Sequence, residues 1–498
     1  MEYTFISLGI YFVLMLGIGI YAAKTSTANL SEYMLGGRQV SPQVTALSAG
    51  ASDMSGWMLM GLPGAIFVSG FDTIWVALGL VIGAWANYKL VAPKLRLYTE
   101  KTNDSLTLPD FFGKRFDKEN GIIRLISAVV IIIFFTLYTS AGLVGGGKLF
   151  ETAFAMNYQT GVIITMLVVV AYTLMGGFLA VSMTDFVQGV IMFIALILVP
   201  VVAFTHFDSP ASMMSYSLET IPPFSESLSE LTMISLLSSL AWGLGYFGQP
   251  HIIVRFMAID SVKNIKTARR IGMSWMTVTI IGALATGLTG VAYTRKFEVT
   301  LADPETIFIF FSEVLFHPLI GGFLLAAILA AVMSTISSQL LVSSSSLTED
   351  IYRAYSKKAV SDKTAVNIGR LCVFGVAVVA SFIAMNPSSS ILSIVSNAWA
   401  GFGAAFGPLI LFSLLWQKVT YEGALAGIIT GTVTVLFWIF APVLTNGETL
   451  SSLVYEMLPG FFISGLSIWL VSLVTKAPSD EIQKTFKDVN HQLIQQLS

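Results

Sequence analysis

The chain has 498 residues, of which 55% are hydrophobic and only 11% are charged, whereas a soluble domain usually carries about a quarter charged residues. So few charges cannot cover a soluble globule of this size, and the composition predicts an all-α protein that crosses the membrane many times. The net charge of −2 argues against a basic surface for nucleic acid. The single cysteine, Cys372, excludes an internal disulfide framework and a cysteine-based zinc site.

Thirteen apolar runs are long enough, at about 20 residues, to cross the hydrocarbon core as helices. They span 4–23, 42–69, 73–92, 124–148, 158–178, 182–204, 229–250, 272–293, 318–346, 367–385, 391–416, 422–441 and 452–474. The first run has no basic segment before it and is too long for a signal-peptide core, so we expect a retained helix. Residues 479–497 predict a short surface helix in the tail.

The basic residues predict the orientation of these helices. If thirteen helices cross in turn, 24 of the 27 lysines and arginines fall on one side, in the first connection, 89–124, 251–270, 353–370, Lys418 and the tail. The opposite side keeps Lys148, Arg295 and Lys296. Because basic residues collect on the cytoplasmic side, we expect the amino terminus outside and the carboxyl terminus inside.

The second run contains a chain of small residues around one carboxylate. Residues 48–56 read Ser-Ala-Gly-Ala-Ser-Asp-Met-Ser-Gly, with Asp53 as the acid. Such an interruption lets a membrane helix unwind and offer free carbonyls and amides to a ligand. Small residues alone could serve only close helix packing. A carboxylate costs about 2.5–3.5 kcal/mol at mid-membrane on insertion scales, which favours a functional role for Asp53.

The seventh run carries a second interruption. Residues 241–250 include three glycines and Pro250, which predict a broken helix. Trp242 and Tyr246 are four residues apart and share one helix face. An ordinary aromatic packing stripe is the alternative, but the position on an interrupted helix favours contact with a substrate.

These two interruptions lie five helices apart, which predicts two repeats of opposite membrane orientation. Inverted repeats of this kind are typical of sodium-coupled transporters with a site at the midplane. We therefore expect a first helix with its inner connection (1–41), a first repeat (42–204), a second repeat (205–416), and two last helices with a cytoplasmic tail (417–498).

Four further polar residues lie inside the apolar runs or, in the case of Arg38, in the first connection between them. Ser334 and Thr335 in the ninth run suit a small hard cation, although hydroxyls also bond back to their own helix. Asp185 in the sixth run could pair with a cation or a basic residue, or cap its helix. Arg38 could be a cytoplasmic-side charge or line an inner vestibule.

A catalytic role has little support in the sequence. Residues 142–148 match most of a phosphate-binding P-loop, but Leu149 stands where the magnesium-binding Ser or Thr is needed. No Ser-His-Asp, Cys-His or HExxH arrangement occurs, so we do not expect an enzyme.

Four segments resemble the solute:sodium symporter family, and the resemblance extends along essentially the whole chain. They are 33–38, 51–57, 176–188 and 333–337. Residues 52–57 together with 242–250 resemble the proline-transporting bacterial branch of that family. The resemblance implies a five-plus-five inverted-repeat core, alternating access, sodium as the coupling ion without a cofactor, and a place in the bacterial cytoplasmic membrane.

The same resemblance implies roles for individual residues. Sodium would be bound by the carbonyls and hydroxyls of Ala51, Met54, Ala331, Ser334 and Thr335. Asp53 would be essential for sodium use, and L-proline would meet a set of residues that also includes aromatic side chains: Ser55, Gly56, Trp57, Tyr138, Trp242, Tyr246 and Pro250. Another small solute, such as pantothenate or a different amino acid, remains the alternative cargo, and a membrane sensor with the same fold is a more distant one.

Overall fold

The computed structural model describes residues 2–25, 30–116, 121–357, 359–386, 390–445 and 447–497. In these ranges the chain forms helices that are joined by short connections. The long helices are α1 (Glu2–Thr25), α2 (Pro42–Asp53, resuming as Trp57–Gly61 and Leu62–Ser69), α3 (Thr73–Leu90, continued by Ala92–Lys101), α4 (Ile122–Phe154), α5 (Tyr158–Leu174), α6 (Gly177–Phe204), α7 (Met233–Leu240, Ala241–Gly248 and Pro250–Ala258), α8 (Ile265–Lys296), α9 (Pro318–Ser345, extended by Ser346–Arg353), α10 (Asp362–Ala384), α11 (Ile391–Leu415), α12 (Tyr421–Phe440), α13 (Met457–Val474) and α14 (Asp480–Leu497). Shorter helices in the connections are Leu30–Leu35, Leu108–Arg115, Pro210–Leu218, Phe224–Glu230 and Ile307–Val314.

Helix α2 is interrupted where the small residues predicted it. Pro42 stands in its first turn, and the Ser41 hydroxyl accepts a hydrogen bond from the Val44 amide. The α-helix ends at Asp53 because Met54 has a non-helical backbone (φ −83°, ψ 79°). The chain resumes after Gly56 as a wide π-helical turn. A wide turn of this kind is common at functional sites.

Helix α7 has the second predicted interruption. Its α-helical start changes at Ala241 into a tighter 3-10 segment, and Gln249 (φ −82°, ψ 106°) breaks the helix before Pro250 starts it again. The helix continues to Ala258, so the predicted limit at residue 250 was too short. Glycines permit this path because Gly243 lies against Gly79 and Gly83 of α3, where no side chain fits.

Ten helical stretches of the described chain are long and apolar enough to cross a membrane, or eleven if the bent pair Phe224–Glu230 and Met233–Gly248 forms one crossing. All thirteen predicted runs fall on α1 to α13. Three of them do not form a stretch of their own: α2, whose second half is counted together with α3 as Trp57–Lys101, the broken α7, and α5, which has only 17 residues. The count of thirteen crossings therefore stays a prediction, and the shortfall arises mainly at the interruptions.

One element of the charge count was wrong. Arg255 was counted in the connection 251–270, but it belongs to the last segment of α7 and is only 1% exposed. Lys118, counted in 89–124, and Lys358, counted in 353–370, lie outside the described residues. The predicted tail helix is confirmed as α14, which buries Phe486 and Val489 against the protein.

Helices α9 and α11 form the centre of the bundle. In the apolar stretch of each of these two helices 83% of the residues are buried, whereas the corresponding share in α1 and α13 is 28%. A helix that is enclosed on all sides has no lipid face, so its polar side chains can all point at other helices. This placement gives the hydroxyls of α9 protein partners rather than lipid.

We predict that Gly83→Ala destabilises the protein. An added Cβ would overlap the backbone of Gly243, and overpacking of this kind costs about 1–3 kcal/mol. Gly375→Ala in α10 is the matched control because, in the described part of the chain, no atom beyond its own helical turn and chain neighbours lies within 4 Å of the added Cβ. Thermal unfolding of the purified proteins in detergent measures the difference, and equal unfolding temperatures for the two variants would contradict the prediction.

Candidate functional site

Oxygen atoms from α2 and α9 meet at the interruption of α2. The Ser334 hydroxyl lies 2.7 Å from the Ala51 carbonyl oxygen and 3.1 Å from that of Ala331. The Thr335 hydroxyl lies 3.4 Å from the same Ala51 oxygen. Met54, the fifth residue of the predicted sodium set, is fully buried at the break itself. The structure therefore brings together four of the five predicted residues by direct contact.

This cluster has the chemistry of a site for a hard monovalent cation. Its atoms are neutral carbonyl and hydroxyl oxygens, the groups that unwound membrane helices offer to sodium. In the described part of the chain, no group of three or more His, Cys, Asp or Glu side chains could hold a metal ion. The donor set thus favours sodium over a transition metal such as zinc, which prefers nitrogen and sulfur ligands.

Asp53 stands beside this cluster and connects three helices. Its Oδ2 accepts a hydrogen bond of 2.5 Å from the Tyr246 hydroxyl of α7. Its backbone carbonyl accepts bonds from the Trp57 indole nitrogen at 3.0 Å and from the Tyr138 hydroxyl of α4 at 3.4 Å. The other carboxylate oxygen, Oδ1, has no hydrogen-bond partner among the described residues. Buried polar atoms are normally paired, so this oxygen is available to a ligand.

Ser55 and Gly56 complete the turn around Asp53. The Ser55 amide donates to the Asp53 carbonyl at 3.0 Å, and the Ser55 hydroxyl lies 3.5 Å from the Trp57 amide. Gly56 faces Val332 of α9, where an added Cβ would come within 3.4 Å of the Val332 side chain. Both residues are buried, as are the aromatic residues predicted to shape the pocket.

No described hydrogen bond or ring contact joins Trp242 directly to Asp53. The Trp242 ring stacks on Tyr455 at 5.4 Å, and its carbonyl accepts a hydrogen bond from the Trp399 indole at 2.8 Å. The edge of Trp399 in turn meets the Tyr246 ring at 5.0 Å, which links Trp242 to the cluster indirectly. No described hydrogen bond or ring contact joins Pro250 itself to Asp53.

Asp185 is paired with a buried arginine. Its Oδ2 accepts hydrogen bonds from Arg255 Nη2 at 3.0 Å and from the Ser48 hydroxyl at 2.7 Å. Arg255 also donates to Ser48, to the His251 carbonyl and to Ser338 of α9. This network connects α6, α2, α7 and α9. Of the roles that the sequence allowed for Asp185, the structure shows pairing with a basic residue.

Arg38 binds the end of α7 rather than the Asp53 cluster. Its Nη1 donates to the Met257 carbonyl at 2.7 Å and to Thr99 at 3.1 Å, and its Nε contacts Asp104 at 2.5 Å. The neighbouring Val40 amide donates to the Ala258 carbonyl at 3.2 Å. Arg38 thereby fastens the first connection to the end of α7.

Sequence reasoning missed two side chains of this region. Arg255 looked like a loop charge because it precedes a basic connection, and only its apolar neighbours at 252–254 and 256–258 could have revealed its burial. Trp399 lies in an apolar run in which an aromatic residue carries no distinguishing signal. Both residues complete contacts of predicted site residues.

We predict that Arg255→Gln strongly destabilises the protein, because it leaves the fully buried Asp185 carboxylate without its cation. Breaking such a pair costs about 3–5 kcal/mol. The double variant with Asp185→Asn should recover part of this loss. Thermal unfolding measures both effects.

The exposed pair of Arg295 and Glu219 provides the control. Its side chains are 56% and 47% exposed, so Arg295→Gln should change stability by at most about 1 kcal/mol. An Arg255→Gln variant that unfolds at the wild-type temperature would show that the buried pair contributes nothing.

Comparison with known proteins places these features in a family. The family model described as the sodium:solute symporter family matches residues 33–431. The osmoregulated proline transporter OpuE of Bacillus subtilis (strain 168) is 56% identical over 481 residues, which cover 97% of this chain and 96% of that protein. A sodium/proline symporter of Staphylococcus aureus (strain JH9) is 51% identical over 492 residues, covering 98% and 95%.

Two solved structures share the fold. A Na⁺-coupled sialic acid symporter in a substrate-bound outward-open state superposes with a TM-score of 0.81 at 18% identity, covering 96% of this chain and 99% of that one. The nucleobase-cation-symport transporter Mhp1 in a closed conformation gives 0.54 at 13% identity, covering 93% and 99%. The family model and the two relatives describe transporters rather than enzymes, and the chain belongs to the sodium:solute symporter family.

Proposed function

We propose that this protein takes up L-proline into the bacterial cell across the cytoplasmic membrane. The sodium gradient drives the uptake, and the mechanism is alternating access. The names of the two relatives, a proline transporter and a sodium/proline symporter, support this cargo. The observation that carries the proposal is the interruption of α2, where the Ala51 carbonyl contacts the Ser334 hydroxyl of α9 and lies two residues before Asp53 and four residues before Ser55. One short segment thus offers a cation site and a polar site side by side.

In this proposal sodium is bound between α2 and α9. The carbonyls of Ala51, Met54 and Ala331 and the hydroxyls of Ser334 and Thr335 are its ligands. The ion replaces the hydrogen bonds that these hydroxyls donate to the Ala51 and Ala331 carbonyls. Because a carbonyl has two lone pairs and a hydroxyl keeps its proton when it binds an ion, one carbonyl lone pair can face the ion while the other accepts a hydroxyl proton.

Proline is a compact zwitterion with an apolar ring, and the residues around Asp53 match its parts. Ser55 and Gly56 precede the second half of α2, whose amino end favours the proline carboxylate. The faces of Trp57, Tyr138 and Tyr246 suit the ring and the cationic nitrogen. Trp242 and Pro250 shape the pocket from outside this inner set, because no described hydrogen bond or ring contact joins them to Asp53.

The proposed architecture follows from the two interruptions. Thirteen helices cross the membrane with the amino terminus outside and the carboxyl terminus inside, and 42–204 and 205–416 form the inverted repeats. The breaks in α2 and α7 then occupy corresponding positions. Arg38 and Asp185 act in coupling by holding the end of α7, directly or through Arg255.

Coupling requires that sodium and proline favour the same conformation, so that each raises the affinity for the other by the same factor. A sodium ion that enters a negative cell gains about 2.3 kcal/mol for each 100 mV of membrane potential. Because about 1.4 kcal/mol corresponds to a factor of ten, this free energy is enough to concentrate a neutral zwitterion roughly 40-fold from the potential alone.

The direct test is uptake of labelled proline into proteoliposomes with an inward gradient of sodium or of potassium. We expect accumulation only with sodium. Equal uptake with both cations would refute sodium coupling. Excess unlabelled proline should abolish uptake, whereas excess pantothenate should not, and the reverse pattern would favour the alternative cargo.

We predict that Asp53→Asn lowers sodium-driven uptake at least about tenfold while the protein still inserts and folds. The change removes the charge that we place beside the ion but keeps the side-chain shape. Glu219→Gln, on an exposed pair, is the control and should transport normally. An Asp53→Asn protein with wild-type sodium dependence would contradict the proposed role.

Ser334→Ala should raise the sodium concentration for half-maximal uptake about tenfold, because a ligand oxygen worth about 1–2 kcal/mol is lost. Ser344→Ala is the matched control, since its hydroxyl bonds to the Leu341 carbonyl of its own helix. A similar change in both variants would argue for a general effect on α9.

Ser55→Ala should weaken the apparent proline affinity more than it lowers the protein abundance, because Ser55 is proposed to contact the substrate. A binding isotherm on purified protein at saturating sodium measures this effect. An unchanged affinity would exclude Ser55 from the substrate site.

A further inference from the structure

A small polar cavity lies where α14 packs on the rest of the protein, at the end of the bundle that we propose faces the cytoplasm. Its volume is about 190 Å³. It is enclosed by the end of α3, by Leu108–Arg115 and by the start of α14. Its charged and hydroxyl lining includes Lys101, Lys114, Arg115, Ser479, Glu481 and Thr485. Nothing in the transport mechanism uses this cavity.

Arg115 is unusual among the buried arginines of the described chain. Five arginines are buried, and four of them lie within 4.0 Å of a carboxylate: Arg38, Arg96, Arg124 and Arg255. Arg115 is only 1% exposed and has no carboxylate partner among the described residues. A buried charge without a counter-charge is costly, so an ion from outside the chain is the simplest source of compensation.

The hydrogen bonds of Arg115 point the same way. Its Nε donates to the Ser413 carbonyl at 3.2 Å, but Nη1 and Nη2 have no hydrogen-bond partner among the described residues. The guanidinium lies 5.3–5.6 Å from the ring centres of Tyr98, Phe116 and Phe486, which fix its position. Two adjacent unpaired donors in a fixed plane match the oxygens of a phosphate or sulfate.

The remaining charges around the cavity leave a positive balance. Lys114 is neutralised by Asp110 at 2.8 Å, whereas Lys101 is exposed at the rim without a described ion-pair partner. Glu481 lines the same cavity but forms no described ion pair with Arg115. The hydroxyls of Ser479 and Thr485 can donate to an anion as well.

We propose that this cavity binds a phosphate group, supplied either by free inorganic phosphate or by the headgroup of an anionic lipid, with Arg115 Nη1 and Nη2 as its principal donors. The volume is below the about 300–1,000 Å³ of typical small-molecule pockets, which excludes a whole nucleotide. Lys101 supplies a second positive charge, and Glu481 weakens the binding by repulsion.

The bound anion stabilises the docking of α14. This helix already contributes Phe486 to the ring cluster around Arg115, and it supplies Ser479 and Thr485 to the cavity. Arg115 also holds the end of α11 through Ser413. An anion in the cavity therefore joins α14, α3 and α11, and its loss loosens the tail.

The first test uses purified full-length protein in phosphatidylcholine nanodiscs. Thermal unfolding is followed while sodium phosphate replaces sodium chloride at constant ionic strength and constant sodium. A ligand that binds only the folded protein raises the unfolding temperature in a saturable way. We expect such a rise of several degrees with phosphate and none with chloride.

Three variants separate an anion site from a general salt effect. Lys101→Gln should weaken the response several-fold, and Glu481→Gln should shift the midpoint to a lower phosphate concentration. Arg295→Gln, in the exposed pair with Glu219 and not part of the cavity lining, is the control and should respond like wild type. Arg115→Gln should abolish the response. If that variant does not fold, the opposite shifts of Lys101→Gln and Glu481→Gln still decide the question.

The second arm distinguishes the two sources of phosphate. Nanodiscs that contain phosphatidylglycerol are compared with phosphatidylcholine alone, without free phosphate. Stabilisation by phosphatidylglycerol that Lys101→Gln weakens identifies a lipid headgroup, whereas a response to free phosphate alone identifies the inorganic ion. No response in either arm, or equal responses of Lys101→Gln, Glu481→Gln and wild type, would overturn the proposal. The readout is stability, so the outcome does not depend on the proposed cargo.

Discussion

The interruption of α2 is the constraint on which most of the interior depends. In a membrane, each backbone group that leaves the helical ladder must find another partner, because no water replaces it. The turn after Asp53 leaves several such groups. The Asp53 carbonyl is satisfied by the Trp57 indole and the Tyr138 hydroxyl, and the Ala51 carbonyl by Ser334 and Thr335. The polar side chains of α4 and α9 thus satisfy carbonyl groups at the interruption of α2 even in the absence of a ligand.

Charges inside the bundle follow the same rule and join separate helices. Asp185 and Arg255 connect α6 to α7, and Lys148 of α4 contacts Glu305 at 2.6 Å in the connection after α8. Glu305 also accepts hydrogen bonds from the first amides of α11, at Ile391 and Leu392. Such pairs are costly to break by removing one partner. They resist motion of the helices they join, so a conformational cycle has to exchange or preserve each of them.

The sequence predicted the features that need unusual residues. Glycines, prolines and a carboxylate within apolar runs are rare, so the breaks in α2 and α7 could be inferred without a structure, and Asp53 could be singled out as a candidate. The hydroxyls of Ser334 and Thr335 were ambiguous, since either could have bonded only to its own helix. Their contacts with Ala51 depend on the packing of α9 against α2, which no local pattern encodes.

The prediction that failed concerned where a residue lies in the fold, which the amino-acid type does not reveal. Arg255 lies close in sequence to a basic connection, and charge counting cannot distinguish a loop arginine from one that is 1% exposed in a broken helix. The break itself creates this ambiguity, because it ends the apolar run at Pro250 although the helix continues to Ala258. The continuation brings the Met257 carbonyl to Arg38 and the Arg255 side chain to Asp185.

The spacing along α2 gives a physical reason for coupling ion and substrate. Ala51 faces the hydroxyls of α9, whereas Asp53, only two residues away, is bonded to Tyr246 of α7. If sodium binds at Ala51 as proposed, it fixes the last turn of the first half of α2, and thereby the position of Asp53 and the turn at Ser55. Proline bound at Ser55 fixes the same turn from the other side. Each ligand then lowers the cost of ordering the segment for the other, which is the reciprocal linkage that symport requires.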